Sequence, residues 1–185
     1  MKIVFGARAT FFQHIGPFDR FIKNDFGTTI DTIVYKTGEN IKHYQHIEPR
    51  VAVRYTIDMK SSVKLSFTQN YQYIHLASLS SVSLPTDLWI PSTTLVKPQF
   101  ATQYALGYFR NFFDNKWETS IEAYYKEMEN QIDYKEGSTP EDGINDNVDY
   151  SFTFGKGKSY GLEFFIKKRL WVASKMPRSL TGQFN

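Results

Sequence analysis

The 185-residue sequence contains no cysteine and no long hydrophobic run. The absence of cysteine excludes disulfides, thiolate metal sites and a cysteine nucleophile. No stretch approaches the ~18 to 20 apolar residues of a membrane-spanning helix. Arg8 also interrupts the apolar start of the chain before it reaches the ~7 to 15 residues of a signal-peptide core. Membrane strands need only ~9 to 11 residues, so a membrane protein built from strands remains compatible with the sequence.

A strong charge of one sign is missing as well. The chain has 22 Lys and Arg against 19 Asp and Glu, a net charge of +3, and the basic residues are scattered. This distribution argues against a nucleic-acid partner. His43 and His46 would lie on opposite faces of an extended strand, and His14 and His75 are isolated in sequence. We therefore expect no metal site and no cofactor.

Catalytic motifs fail on spacing. Residues 157–159 (GKS) resemble the end of a phosphate-binding loop, but the first glycine of that motif would fall at Phe152. Glu118 and Glu122 share one face of a predicted strand, where four residues span ~13 Å. Glycosidase carboxylates lie only ~5 to 9.5 Å apart. The sequence therefore predicts a protein that is not an enzyme.

Aromatic residues and long alternating segments are what the sequence has in excess. Phe, Tyr and Trp make up 17% of the chain, and aromatic residues favour strands. Apolar and polar residues alternate over segments about twice as long as the ~5 to 6 residues of a soluble strand. Six strands are predicted at about 2–12, 43–57, 62–75, 99–112, 116–132 and 156–168. No segment predicts a long helix, so the fold class is all-β, a long antiparallel meander.

The connections between these strands alternate in length. Those at 58–61 and 113–115 are short, whereas those at 13–42, 76–98 and 133–155 are long. Short turns at one end and long loops at the other are typical of outer-membrane barrels. The sequence therefore predicts about six strands of a larger transmembrane β-barrel.

Alternation also assigns the side chains of a barrel wall to two faces. The residues predicted to face lipid are Val53, Tyr55, Leu65, Ile121 and Leu162. The polar residues predicted to face the lumen are Arg54, Lys64, Glu118, Glu122 and Lys126.

Seven runs resemble the barrel of TonB-dependent receptors, the energised importers of the Gram-negative outer membrane. They are 47–50 (IEPR), 73–76 (YIHL), 84–91 (LPTDLWIP), 97–99 (KPQ), 107–111 (GYFRN), 124–134 (YYKEMENQIDY) and 155–163 (GKGKSYGLE). The resemblance covers residues 44–168 well and 1–43 less well. No single run is specific, but their order and spacing together are.

The resemblance implies a location in the outer membrane and uptake of scarce nutrients such as iron chelates, cobalamin or glycans. It implies contact with outer-membrane lipid, with the rest of the barrel and a plug domain, and with an inner-membrane energy-coupling complex through an N-terminal part not seen here. Six strands are too few for the ~22-stranded barrel of such transporters. We therefore expect a fragment that is not active alone, with residues 1–169 as partial barrel and 170–185 as a divergent or truncated tail.

Two interpretations of the loops remain open at this point. Asp87 and Trp89, in the rigid segment 85–91, predict either a packed lid or a ligand contact, and Tyr150 is a further candidate contact. The alternative function is a soluble β-sheet module that binds carbohydrate or protein, with Trp89 and Tyr150 as stacking surfaces. The two functions differ in the environment of the apolar face: lipid in a barrel, a packed core in a soluble module.

Overall fold

A computed structural model describes residues 1–24, 26–77, 87–138 and 147–169. The strands in these ranges are β1 (Lys2–Ile15), β2 (Phe18–Lys23), β3 (Thr29–Tyr35), β4 (Asn40–Thr56), β5 (Ser61–Gln72), β6 (Ile74–Ala77), β7 (Leu88–Pro91), β8 (Gln99–Phe112), β9 (Trp117–Tyr134) and β10 (Phe152–Lys168). A short 3-10 helix, Val148–Ser151, lies between β9 and β10. A search of the described residues finds no helix with the length and apolar character needed to cross a membrane.

Six long strands form one antiparallel sheet in the order β1-β4-β5-β8-β9-β10. Each strand pairs with the next long strand along the chain, as in a meander. The predicted all-β meander is confirmed. Within the described residues the sheet is open, since β1 and β10 are its edges.

The two ends of the sheet differ, as the connection lengths predict. At the short-turn end, residues 57–60 join β4 to β5 and residues 113–116 join β8 to β9. Phe113, Asp114 and Asn115 all adopt positive φ, a conformation that lets a tight turn reverse the chain. Hydrogen bonds from the Ser61 hydroxyl and the Lys60 N–H lower the pKa of Asp58 in the other turn.

The long-loop end contains more regular structure than the sequence predicts. Strands β2 and β3 form a hairpin inside the first long connection, and β6 pairs with β7 around the second. The apolar residues Phe18, Phe21 and Ile22 do not alternate, so the first hairpin carries no period-two signal. A small hydrophobic core lies at this end, formed by Ala77, Ile90, Val96, Tyr134 and Phe152.

A bulge in β9 marks the passage from the long sheet into this core. The pairing of β9 with β10 shifts between Gly155 and Gly157, where β9 contains one extra residue. Asn130 lies in that bulge with φ 55°. Asn tolerates this left-handed conformation better than most residues, and its side-chain amide donates to the Pro98 carbonyl at 2.9 Å.

Candidate functional site

The apolar face of the sheet contains all five residues that the sequence predicts to face lipid. Cross-strand partners share a face, and Val53 pairs with Leu65. The full row across the six strands consists of Ile3, Val53, Leu65, Leu106, Ala123 and Leu162. Tyr55 and Ile121 lie on the same face, in the next row towards the short-turn end. The side chain of Leu65 is 57% exposed and that of Leu162 58%.

An aromatic row borders this aliphatic row on the side of the long loops. Its members are Phe5, Val51, Phe67, Tyr104, Tyr125 and Tyr160. Beyond it on β9 and β10 the charged pair Glu127 and Lys158 lies at 3.7 Å. An aliphatic band bordered by aromatic and then charged residues is the order found from the hydrocarbon core of a membrane to water.

The opposite face is polar, and its charges are divided across the sheet. One row runs Lys2, Arg54, Lys64, Gly107, Glu122 and Glu163, basic on β1, β4 and β5 and acidic on β9 and β10. The predicted lumen residues Glu118 and Lys126 lie on this face too, by alternation with Glu122. Arg169 forms an ion pair with Glu118.

Glycine lets aromatic rings lie flat against this polar face. Tyr124 points to the polar face and Tyr125 to the apolar face, as their adjacent positions in β9 predict. Gly161 is the cross-strand partner of Tyr124, and a Cβ there would come within 2.7 Å of the Tyr124 ring. A Cβ at Gly107 would meet the Phe109 ring at 2.8 Å.

Glu48 holds the sheet together where the backbone pairing of β4 with β5 ends. That pairing stops at Arg50 and Thr68. Pro49, which precedes Arg50 in β4, has no N–H to donate. The fully buried Glu48 carboxylate accepts instead from the Tyr71 N–H at 3.4 Å.

The same carboxylate ties β4 to β1. Arg8 donates to Glu48 Oε2, with its Nε at 2.7 Å, and the Thr10 hydroxyl donates to Oε1 at 3.1 Å. Arg50 lies further away, at 3.8 Å. The charge and the oxygens of Glu48 are therefore satisfied within three neighbouring strands.

Aromatic side chains continue this connection towards the long-loop end. The rings of His46 and Tyr71 stack with centroids 3.8 Å apart, and His46 Nδ1 hydrogen-bonds to the Tyr73 hydroxyl at 2.9 Å. Phe12 stacks on Tyr73 at 5.1 Å. These side-chain contacts therefore hold β1 and β4 to the end of β5, where the backbones of β4 and β5 no longer pair.

Above the sheet, the three long connections bond to one another, and we call this assembly the outer cap. Its parts are residues 16–24 with 26–39, 74–77 with 87–98, and 147–151. Asn147 accepts from the Phe21 N–H at 2.7 Å and donates to the Asp19 carbonyl at 2.8 Å. Arg20 donates to the Thr94 hydroxyl at 3.4 Å.

Asp149 is the buried carboxylate of the cap. The Thr93 hydroxyl donates to it, and the same hydroxyl accepts from the Val96 N–H at 3.1 Å. Burial raises the pKa of Asp149 above its ordinary value, an effect that the Thr93 hydrogen bond and the nearby His14 and Arg20 oppose. The Tyr44 hydroxyl donates to the Thr93 carbonyl at 2.6 Å, which ties the cap to β4.

The three predicted loop contacts lie on two of the connections in this region. Trp89 is 68% exposed on β7, and Asp87 precedes that strand. Tyr150 belongs to the 3-10 helix, where its hydroxyl donates to the Phe21 carbonyl at 3.0 Å and Lys23 lies 5.3 Å from its ring. Tyr150 therefore bonds to a neighbouring loop through its hydroxyl.

Sequence reasoning missed Glu48 as a bonding centre and missed Asn147 and Asp149 entirely. The run at 47–50 marks Glu48, but its partners Arg8 and Tyr71 are distant in sequence. Asn147 lies 126 residues from Phe21, a distance over which no local pattern carries information. Among the described residues no three His, Asp or Glu side chains come together as metal ligands would.

Comparison with known proteins places the chain in a family. The family model described as TonB dependent receptor-like, beta-barrel, matches residues 3–185. The match includes residues 3–43, where the resemblance in sequence is weaker, and 170–185, which lie outside the described residues. Searches of curated proteins and of solved structures returned no match. The family consists of receptors and transporters of the Gram-negative outer membrane rather than enzymes. The chain belongs to the TonB-dependent receptor β-barrel family.

Proposed function

We propose that this chain forms part of the wall of an outer-membrane importer that takes up a scarce nutrient using energy from the inner membrane. The observation that carries the proposal is the two-faced sheet: aliphatic and aromatic residues cover one face in unbroken cross-strand rows, while charged residues occupy the other. A wall between lipid and an aqueous lumen requires this division. Val53, Tyr55, Leu65, Ile121 and Leu162 would meet lipid.

The two edges of the sheet support a larger barrel. Strands β1 and β10 each offer a row of backbone groups that has no partner within the described residues. Open edges do not occur inside a bilayer, because each unsatisfied backbone group costs several kcal/mol there. Further strands of the same receptor would pair with both edges, and the chain alone would not transport.

The charge-divided polar face supports a polar occupant of the lumen. In the charged row of this face one strand, β8, separates the basic residues Arg54 and Lys64 from the acidic residues Glu122 and Glu163. A cavity of about 550 Å³ lies between Arg54 and the three glutamates Glu118, Glu122 and Glu163. A plug domain with complementary charges would fill this face, and Asp87, Trp89 and Tyr150 would contact nutrient or neighbouring loops at the outer mouth.

A soluble module accounts less well for the burial of this chain. The buried hydrophobic residues are few and gathered at the long-loop end, whereas residues such as Leu65, Leu106, Leu162 and Phe164 are exposed on the apolar face. A soluble sheet would cover that face with a second layer. No described element does so.

Growth under nutrient limitation tests the function. An in-frame deletion of the complete receptor gene should abolish growth on one limiting nutrient, with iron chelate, cobalamin and glycan supplied in separate cultures. The intact gene should restore growth, and loss of the inner-membrane energy complex should reproduce the defect. Normal growth of the deletion strain on all three nutrients would contradict uptake of these classes. A defect that does not depend on the energy complex would contradict energised transport.

A further inference from the structure

We infer that the outer cap is a single cooperative lid over the polar face, whose three connections loosen together rather than one by one. The inference concerns this chain's own contacts, and its description as a lid over a lumen rests on the proposed function.

The first support is that connections from opposite edges of the sheet meet. Residues 16–39 follow β1 at one edge, and residues 147–151 precede β10 at the other. Five strand spacings of ~4.8 Å separate those edges by roughly 24 Å along the sheet. Asn147 nevertheless bonds to the backbone of β2 at both Phe21 and Asp19. The two connections therefore span the sheet between them.

The second support is the face over which they meet. His14 shares the polar face of β1 with Arg8 and Thr10, by alternation. The His14 ring lies 5.6 Å from the ring of Phe18, the first residue of β2 in the cap. Tyr44 reaches Thr93 from the polar face of β4. The cap thus lies over the polar face.

The third support is that the middle connection bonds to both outer ones. Thr94 accepts from Arg20 of β2, and Thr93 donates to Asp149. Val96 and Ile90 of the middle connection share their hydrophobic core with Tyr134 and Phe152, at the ends of β9 and β10. The described part of each connection therefore bonds or packs against another, which is the condition for one cooperative unit.

Hydrogen exchange of the complete receptor in lipid nanodiscs tests the inference with a matched pair of variants. Asn147→Ala removes the hydrogen bonds to Phe21 and Asp19, which join two connections. Asn24→Ala removes two that stay inside the β2–β3 turn, to the Phe26 and Thr28 N–H groups. Loss of two bonds worth about 0.5 to 1.5 kcal/mol each would raise local opening on the order of tenfold.

The expected result for Asn147→Ala is faster exchange in residues 18–23, 88–98 and 147–151 together, by about tenfold in each. For Asn24→Ala, faster exchange should stay near residues 24–28. Exchange that rises in Asn147→Ala only at 18–23 and 147–151, with 88–98 unchanged, would overturn the single lid.

A milder variant keeps the test decisive if Asn147→Ala fails to insert. Tyr150→Phe loses one bond, from the hydroxyl to the Phe21 carbonyl, and keeps the ring beside Lys23. It should show the same three-segment pattern at a smaller amplitude, and a response confined to one segment would overturn the inference. Failure here leaves the proposed function standing, because uptake and lipid contact are measured separately.

Discussion

At the scale of single residues, the sheet depends on which face a side chain occupies. Leu65 and Ser66 are neighbours in β5, yet Leu65 lies in the aliphatic row between Val53 and Leu106, whereas Ser66 pairs with Ala52 and Ala105 on the polar face. This assignment follows from alternation alone, so the sequence predicts it. The role of Glu48 depends on contacts with β1 and β5, which alternation does not reveal.

An arginine at Leu65 should destabilise the inserted receptor, and an arginine at Ser66 should not. A charge on the lipid face near the membrane midplane costs about 2 to 4 kcal/mol, whereas the polar face is hydrated. The free energy of unfolding in lipid vesicles, measured by urea titration, would compare Leu65→Arg with Ser66→Arg. Equal stability of the two variants would contradict the assignment of the faces.

Removal of the Glu48 carboxylate should weaken the junction of β1, β4 and β5. Glu48→Ala leaves the Tyr71 N–H and the Thr10 hydroxyl without their acceptor. Two such groups would cost about 2 to 6 kcal/mol together. Glu48→Gln keeps an oxygen for both donors and should lose less. The same urea titration measures both variants, and an equal loss would show that the hydrogen bonds contribute little.

At the scale of elements, long strands follow from the sequence and short hairpins do not. The segment 103–108 alternates strictly, and the strand predicted around it at 99–112 has the limits of β8 in the structure. Strands β6 and β7 have four residues each, too few to establish a period. They form because His75, Ala77 and Ile90 are buried in the cap, a tertiary effect.

Acidification should loosen the β6–β7 hairpin through His75. The ring is fully buried and hydrogen-bonds to Ser92 at 2.9 Å, and burial lowers the pKa of His75 below its ordinary value of 6.5. The folded hairpin therefore favours the neutral ring. Its stability is fully present above pH 6.5 and is lost as the pH falls through that value towards the lowered pKa.

Hydrogen exchange of residues 74–77 and 88–91, corrected for the intrinsic rate at each pH, measures this loss. Exchange should accelerate as the pH falls below 6.5, the ordinary pKa of histidine. His75→Gln should remove the acceleration, and His43→Gln, at an exposed position of β4, should keep it. The same acceleration in His75→Gln would assign the pH response to another group.

At the scale of the whole molecule, the main feature is an open six-stranded sheet with one apolar and one polar face. The sequence predicts the two faces of the sheet from the alternation of apolar and polar residues. It predicts the two different ends from the alternation of short and long connections. It does not predict the outer cap, since Asn147 and Phe21 meet from opposite edges of the sheet. The family match and the two-faced rows point to the same architecture: the first through residue identities, the second through the register of the paired strands.

Spin-label accessibility measures whether the apolar face of the sheet meets lipid. Because the chain has no cysteine, single cysteines at Leu65, Ile121 and Leu162 and at Ser66, Glu122 and Glu163 can be labelled uniquely within it. The measurement uses the complete receptor in nanodiscs, with cysteines elsewhere replaced. Labels at the first three positions should collide with oxygen and be shielded from a water-soluble nickel chelate, and labels at the other three should not. Equal access of the nickel chelate to both sets would contradict the account.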